Sequence, residues 1–206
     1  MCYSAVGDNV TQAIEIEFKN LLTEKEFQEI LKQYSFAAPF VQTNYYFDTS
    51  AKLLQQKSIG LRIRLFQTTA EQTLKLSTTK AEHQLTEITD PLTLTQAQAL
   101  VQQNQIYLHG ATANQLTRLK VKISDLQIIG LAKTERYLAT LPAGLLTLDR
   151  TTYADHAQDY ECELEIQNVA KAYQNKHFFL NLLAQNDIPN RAVTNKVVRA
   201  VQHFKS

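Results

Sequence analysis

Several segments of the chain alternate apolar residues with charged ones at every second position. In residues 13–20, AIEIEFKN, three apolar side chains alternate with Glu15, Glu17 and Lys19. Side chains two residues apart lie on the same face of a β-strand, so each segment predicts a strand with one apolar and one charged face. A chain with many such strands must either expose its charged faces to water or enclose them in a cavity.

The alternation recurs along the chain, and the sign of the charge is sorted by segment. Arg62 and Arg64 share a face and repel each other, as do Glu161 and Glu163. A face selected only for solubility would more often mix the two signs. The sorted cations are Arg62, Arg64, Lys75 and Arg136, and the sorted carboxylates are Glu15, Glu17, Asp149, Glu161 and Glu163.

Two interpretations of these faces stay open at this point. An antiparallel sheet commonly turns one polar face to water, which explains any single strand. If the sheet instead closes with its polar face inward, unpaired buried charges would cost several kcal/mol each. An enclosed basic wall and acidic wall therefore favour a ligand that neutralises both. Carboxylates bind hard divalent cations and Arg and Lys bind phosphate, so a metal-bound polyphosphate fits.

Composition excludes several classes of function. The chain has 206 residues with 21 Lys and Arg against 20 Asp and Glu, so net charge favours neither DNA nor a membrane surface as a partner. It contains no apolar run of the roughly 20 residues that a membrane span needs, and no signal peptide is recognisable. Its two cysteines, Cys2 and Cys162, predict no structural disulfide, and we expect a cytoplasmic protein. Glycine-rich phosphate loops are absent.

The pattern of segments predicts one α+β domain over residues 13–206, after a flexible N-terminus at residues 1–12. About eight strands with short connections favour a large antiparallel sheet, open or closed into a barrel. The predicted strands are 13–20, 41–48, 59–67, 72–79, 83–90, 126–141, 144–156 and 159–167. The predicted helices are 23–34, 93–106, 112–121, 170–186 and 193–204, the first with a capping box at Thr23 and Glu26.

An ordered set of motifs resembles the CYTH superfamily, the triphosphate tunnel metalloenzymes. EIEFK at 15–19 matches the ExExK signature of that family, and the resemblance extends over nearly the whole chain. The further matches are YYFDT at 45–49, LRIR at 61–64, TLK at 73–75, TERY at 134–137, LD at 148–149 and YECELEI at 160–166. The chain looks most similar to small stand-alone CYTH proteins of Gram-positive bacteria.

The resemblance implies an eight-stranded antiparallel β-barrel tunnel with helices packed outside. It also implies hydrolysis of a phosphoanhydride bond in a triphosphate-containing small molecule, with Mg²⁺ or Mn²⁺ as cofactor. Inorganic triphosphate is the first expectation, and thiamine triphosphate or a nucleotide the next. The protein is expected to act as a monomer or homodimer.

The resemblance also assigns roles to individual residues. The expected metal ligands are Glu15, Glu17, Asp149, Glu161 and Glu163. The expected substrate-binding residues are Lys19, Arg62, Arg64, Lys75, Arg136 and Lys196. The expected catalytic residues are Glu15, Glu17, Lys19, Arg62 and Arg136. Glu87 and Glu165 are open candidates, and the C-terminal helix is a hypothetical gate through Lys196.

Two other functions stay open. A non-catalytic module could bind a triphosphate or nucleotide without turnover, although such a module gains little from carboxylates. A class IV adenylyl cyclase is disfavoured, because the HF pair that many of these enzymes carry ahead of ExExK is missing here.

Overall fold

Eight antiparallel strands close into one barrel, which confirms the predicted architecture. The computed structural model describes residues 11–77, 84–166 and 169–204, with the side chains of residues 11–15, 84, 85 and 169 outside this description. Around the barrel the strands follow the order β1-β5-β4-β3-β2-β6-β7-β8, and β8 pairs with β1. The strands are β1 (Thr11–Leu22), β2 (Phe40–Thr49), β3 (Ile59–Leu65), β4 (Thr69–Ser77), β5 (Gln84–Thr93), β6 (Leu126–Leu141), β7 (Gly144–Tyr153) and β8 (Gln158–Ile166).

Helices surround the barrel and continue beyond its last strand. Short 3-10 turns precede β6 and the fifth helix. Within the described ranges, no helix combines the length and apolar character that crossing a membrane requires. The helices are α1 (Glu24–Gln33), α2 (Leu53–Gln56), α3 (Leu94–Gln102), α4 (Ala111–Arg118), α5 (Ala172–Gln185) and α6 (Lys196–Gln202).

The apolar faces of the strands point outward and are covered by these helices. Phe27 and Ile30 of α1 and Phe179 of α5 pack with Leu148 and Leu164 of the barrel in one buried cluster. A second cluster joins the other side of the barrel to α2, α3 and α4. Each fully buried side chain of this size contributes about 1.5 to 3 kcal/mol to folding. This apolar shell outside the strands therefore stabilises the barrel, so the inner face can carry polar side chains.

Helix α6 lies across one end of the barrel. Its Ala200 is fully buried against Tyr46, Ala132 and Tyr153. Gly130 permits this approach, because a Cβ at that position would lie 3.2 Å from atoms of Ala200. The C-terminal helix therefore packs closely on β6, and whether it acts as a gate stays a hypothesis.

Several element boundaries differ from the sequence predictions. Strand β5 continues through Pro91, opposite Glu71 of β4 and past the last described pairing with β1, where a strand edge tolerates proline. Helix α2 was not predicted, and it begins after Lys52, which has a left-handed backbone with φ of 56°. Strand β7 ends at Tyr153, and α6 begins at Lys196 instead of residue 193. The capping box of α1 is confirmed by both of its hydrogen bonds.

Arg191 fixes the segment that leads into α6. Its guanidinium binds both oxygens of Glu26 at 2.8 Å, and its backbone N–H donates to Asn20 Oδ1 at 2.6 Å. The hydrogen bonds from Arg191, together with those from Thr23, lower the pKa of Glu26 to about 2. Because this pKa is below its unfolded value, the pair stabilises the fold above about pH 4.5. That contribution is lost as the pH falls toward 2.

We expect Glu26→Gln to lower the free energy of unfolding at pH 7 by about 1 kcal/mol, the size of a charge-assisted surface pair. The difference from wild type should shrink as the pH falls from 5 toward 2, because the carboxyl of Glu26 takes up a proton in the unfolded chain below about pH 4.5 and in the folded protein only near pH 2. Urea unfolding at several pH values measures it. The matched control is Glu29→Gln, which removes only the exposed pair with Lys25. A gap that does not change with pH would contradict the assignment.

Candidate functional site

The strand register directs most of the predicted charged side chains toward one cavity of about 360 Å³. Arg136 of β6 lies opposite Asp149 of β7, which lies opposite Glu161 of β8. Lys19 of β1 lies opposite Glu163, which closes the ring. The cavity is lined by Glu17, Lys19, Gln42, Asn44, Tyr46, Arg62, Arg64, Glu71, Lys75, Glu87, Thr89, Arg136, Glu163, Glu165 and Lys196. The enclosed-face interpretation is therefore confirmed, and the exposed-face interpretation is wrong for these strands.

Two arginines on β3 are largely buried and have only loose charge partners, although Arg64 Nε also donates to Asn44 Oδ1 at 2.8 Å. Arg62 lies 3.7 Å from Glu71 and 3.8 Å from Glu87, and Arg64 lies 3.4 Å from Glu71. Among the described residues, Arg62 Nε has no hydrogen-bond partner. Burial, with repulsion from Arg62 and Arg136, lowers the pKa of Arg64 to about 9. An anion placed beside these guanidinium groups would stabilise both.

Lys75 and Glu87 form the next part of this wall. Lys75 Nζ lies 2.6 Å from Glu87 Oε1. Burial alone would raise the pKa of Glu87, but Lys75 and Arg62 outweigh it and lower that pKa. Glu87, an open candidate from the sequence, therefore lies within the site as the ionised partner of Lys75.

Three carboxylates on β7 and β8 form a buried cluster on the opposite side. Asp149, Glu161 and Glu163 each offer an oxygen, and these oxygens lie within 4.8 Å of one another. Arg136 donates to both oxygens of Asp149, at 2.8 and 2.6 Å, and lies 3.5 Å from Glu163. Lys196 donates to Asp149 and lies 3.0 Å from Glu161. This group of three is called the acidic cluster below.

Cations hold Asp149 and Glu163 of the acidic cluster ionised. Burial alone would raise the pKa of Asp149, but Lys196 and Arg136 outweigh it and lower that pKa. For Glu163 the opposing charges of Lys19, Lys196 and Arg136 also outweigh burial and hold the pKa well below its usual range. The cluster is therefore a set of carboxylates already paired with protein cations.

Lys19 connects the acidic cluster to Glu17. Its ammonium lies 2.9 Å from Glu17 and 3.1 Å from Glu163. Burial alone would lower the pKa of Lys19, but these carboxylates and Glu161 raise it well above its ordinary value. The ExExK segment thus supplies one carboxylate and one cation from β1 to the same cavity.

The carboxyl of Glu165 differs from those of Asp149 and Glu163, because its charged neighbours are mainly other carboxylates. It lies opposite Glu17 across the pairing of β1 with β8 and is half-buried at the cavity wall. Burial, with repulsion from Glu17, Glu87 and Glu163, raises its pKa in spite of Lys75. Glu165 is therefore a lining residue in which a carboxylate has more anionic than cationic neighbours.

The structure brings most of the predicted residues together. Glu15 lies in β1, but its side chain is outside the described residues. Asp149 and Glu161 are fully buried beside the cavity, and the acidic cluster does not include Glu17, which pairs with Lys19.

Two charged residues of the site were missed by the sequence analysis. Glu71 has the same parity as Lys75 on β4, which was a sufficient signal for an inward side chain. Arg199 follows Lys196 by three residues and binds Glu161 at 2.9 Å and Asp159 at 2.7 Å. Spacing of three places both cations on one helix face, but only the docking of α6 turns that face toward β8.

A second, more apolar cavity of about 420 Å³ adjoins the charged one. The two share Glu17, Lys19, Tyr46, Arg62, Lys75 and Lys196 in their walls. The additional walls come mainly from the region of α2 and from β3, β6 and α6, and they include Ile59, Ile129, Val197, Val198 and Val201. We call this space the vestibule. It provides an apolar compartment next to the cations.

A closed antiparallel barrel with a charged interior is the architecture that the sequence motifs predicted. Comparison with known proteins leads to the same family. The model of the CYTH domain matches residues 13–201, so the chain belongs to the CYTH domain family. This finding confirms the family resemblance of the sequence motifs.

Individual relatives cover nearly the whole chain. YjbK of Bacillus subtilis, a proposed triphosphatase, is 31% identical over 196 residues, which are 92% of this chain and 95% of YjbK. The structure of a proposed adenylate cyclase from Bacillus halodurans superposes with a TM-score of 0.80 at 27% identity, covering 91% and 97% of the two chains. HpAC1 from Hippeastrum, at 19% identity and a TM-score of 0.71 over 92% and 94%, shares the fold.

We expect Arg64→Gln to leave the free energy of unfolding unchanged or to raise it by about 1 kcal/mol, because a poorly paired buried cation is removed. In the presence of a chelator, inorganic triphosphate should raise the melting temperature of the wild type. The Arg64→Gln protein should lose most of this increase. Differential scanning calorimetry measures both. Arg150→Gln is the control, since Arg150 pairs with Glu135 at 2.6 Å outside the cavity. A destabilised Arg64→Gln protein with an intact triphosphate response would contradict anion binding here.

Proposed function

We propose that this protein is a metal-dependent triphosphatase that hydrolyses a phosphoanhydride bond inside the barrel. The observation that carries the proposal is the division of one cavity into two sides. The carboxylates nearest to Arg62 and Arg64 lie 3.4 Å away or more, whereas the acidic cluster opposite gathers three carboxylates within 4.8 Å. One side suits phosphate and the other suits a divalent cation. The relationship to YjbK supports the same conclusion.

The cations of the cavity would bind the triphosphate oxygens. Arg62 and Arg64 offer guanidinium N–H groups, which bind phosphate in pairs, and Lys75 and Lys19 offer ammonium groups at either side. Arg136 and Lys196 border both the cavity and the acidic cluster. A triphosphate would exchange the loose ion pairs of Arg62 and Arg64 for closer contacts.

The acidic cluster fits Mg²⁺ or Mn²⁺, because its donors are carboxylate oxygens gathered within 4.8 Å. Asp149, Glu161 and Glu163 would hold the ion, with Glu15 and Glu17 of β1 as further proposed ligands. A divalent cation bound there supplies charge neutralisation for the phosphate oxygens and lowers the pKa of a water.

Hydrolysis adds water to the terminal phosphorus and breaks one P–O–P bond, giving phosphate and diphosphate. Arg62 and Arg136 would stabilise the negative charge that develops on the transferring group and on the leaving oxygen. Their burial in a largely enclosed cavity makes this stabilisation larger than it would be in water. Lys19 would hold Glu17 and Glu163 in place, since it contacts both. The buried free thiol of Cys162 is consistent with action in the reducing cytoplasm.

The vestibule supports an organic triphosphate as a second substrate class beside inorganic triphosphate. A triphosphate bound to the cavity cations would direct its terminal substituent into the apolar space between Ile59 and Val198. That volume accommodates a small heterocycle, in the range typical of ligand pockets. Inorganic triphosphate would leave the vestibule empty, so the two classes respond differently to changes there.

We expect phosphate release from inorganic triphosphate that requires Mg²⁺ or Mn²⁺ and stops with chelator. Arg62→Ala and Glu163→Gln should each lower kcat at least about 100-fold, the usual effect of removing a group that stabilises the transition state. Arg150→Ala, on the outer surface, is the matched control. Thiamine triphosphate and ATP are assayed in parallel.

Three other outcomes identify the alternatives. Metal-enhanced binding of triphosphate without turnover, lost in Arg62→Ala, would identify a binding module. Cyclic AMP formed from ATP would identify a cyclase, the activity proposed for the relative from Bacillus halodurans. Turnover that is insensitive to chelator would overturn the metal dependence.

A substitution in the vestibule separates the two substrate classes. Val198→Glu should raise KM for thiamine triphosphate and ATP about tenfold or more, because a carboxylate replaces apolar surface beside the substituent. Its kcat/KM for inorganic triphosphate should stay within about threefold of wild type. The control is Val193→Glu, at a position outside the vestibule lining. An equal loss with all three substrates would contradict a vestibule for the organic group.

A further inference from the structure

Lys196 occupies the space between two members of the acidic cluster. Its ammonium donates to Asp149 Oδ2 and lies 3.0 Å from Glu161 Oε2. Both carboxylate side chains are completely buried, and the lysine side chain is 12% exposed. One protein cation thus contacts the pair of oxygens that a divalent ion would need to share.

Two other cations on the acidic cluster are fixed by their strands, unlike Lys196, and Arg199, which binds Glu161 from α6, is also held by Asp159. Arg136 lies within β6 and binds both oxygens of Asp149 through two N–H groups. Lys19 lies within β1 and is also held by Glu17. Lys196 is the first residue of a seven-residue helix and holds its carboxylates through a flexible four-carbon stem. Of these cations, Lys196 can leave with the least change in the barrel.

We propose that Lys196 is an internal counter-ion for the acidic cluster that a divalent cation displaces. The ammonium and the metal compete for Asp149 and Glu161, because a divalent ion on the same oxygens would repel an ammonium that stays in contact with them. Displacement releases the ammonium toward the adjoining cavity, which Lys196 already lines, where phosphate would bind. This inference rests on the proposed metal role of the acidic cluster.

Displacement of Lys196 by a metal would also couple metal binding to the stability of α6. Lys196, Arg199 and His203 follow at intervals of three and four residues, so they share one helix face. Arg199 binds Glu161 and Asp159, and His203 lies 2.8 Å from Asp155. When Lys196 leaves the acidic cluster, the first turn of α6 loses its contacts with Asp149 and Glu161, while Arg199 and His203 keep their ion pairs. Metal binding should therefore loosen the start of the helix without releasing all of it.

Calorimetric titration of the full chain with Mn²⁺ tests the competition. We expect Lys196→Met to bind Mn²⁺ about tenfold or more tightly than wild type. Lys75→Met is the matched control, because it removes one ammonium from the same cavity, beside Glu87 and not beside the acidic cluster. Its affinity should stay within about threefold of wild type. Equal affinities in the two variants would overturn the inference, as would weaker binding in Lys196→Met.

Hydrogen exchange provides a readout that does not depend on activity. Mn²⁺ should speed amide exchange in the first turn of α6 in wild type, whereas Lys196→Met should exchange rapidly with or without Mn²⁺. Exchange in β4 and β8 checks that each variant is folded. Unchanged exchange in wild-type α6 at saturating Mn²⁺ would overturn the displacement. If wild type and Lys196→Met both fail to bind Mn²⁺, the metal site itself is wrong, and the proposed function fails with it.

Discussion

Carboxylates and cations meet at close range inside the barrel, and their mutual neutralisation allows a charged cavity to exist within an apolar shell. Arg136 with Asp149 and Lys75 with Glu87 each join oppositely charged groups at 2.6 Å. Removing one partner of such a pair would leave a buried charge, at a cost of about 3 to 5 kcal/mol. The helices outside can stabilise the barrel only because the interior carries so little unpaired charge.

Two groups of residues depart from this neutrality, and the proposed ligands would bind beside them. Arg62 and Arg64 have ion-pair distances of 3.4 to 3.8 Å, and the acidic cluster depends on Lys196, a residue at a helix end, for part of its balance. In the proposed function, a triphosphate would add negative charge beside the first group, and a divalent cation would add positive charge beside the second. Each ligand would compensate the charge of the other, so binding of both together would keep the cavity close to neutral.

Much of this arrangement could be predicted from the sequence, because strand parity is strict. The 16 residues of β6 match the predicted range at both ends, and the inward positions of Arg62, Arg64 and Lys75 follow from alternation alone. Pairing partners could not be predicted. That Lys19 contacts Glu163 depends on closure of β1 against β8, and that Arg199 contacts Glu161 depends on how α6 docks. Both are long-range contacts, which a local pattern does not contain.

Closure of the barrel has a consequence for synthesis of the protein. Strand β1 leaves the ribosome first of all the strands, and its partner β8 ends at Ile166. Glu17 and Lys19 of β1 therefore meet Glu163 and Glu165 only after the rest of the barrel has been translated. Until then β1 lacks its partner β8, and the wall that these four residues form together is missing. The charged cavity is therefore completed in the same step that seals the sheet.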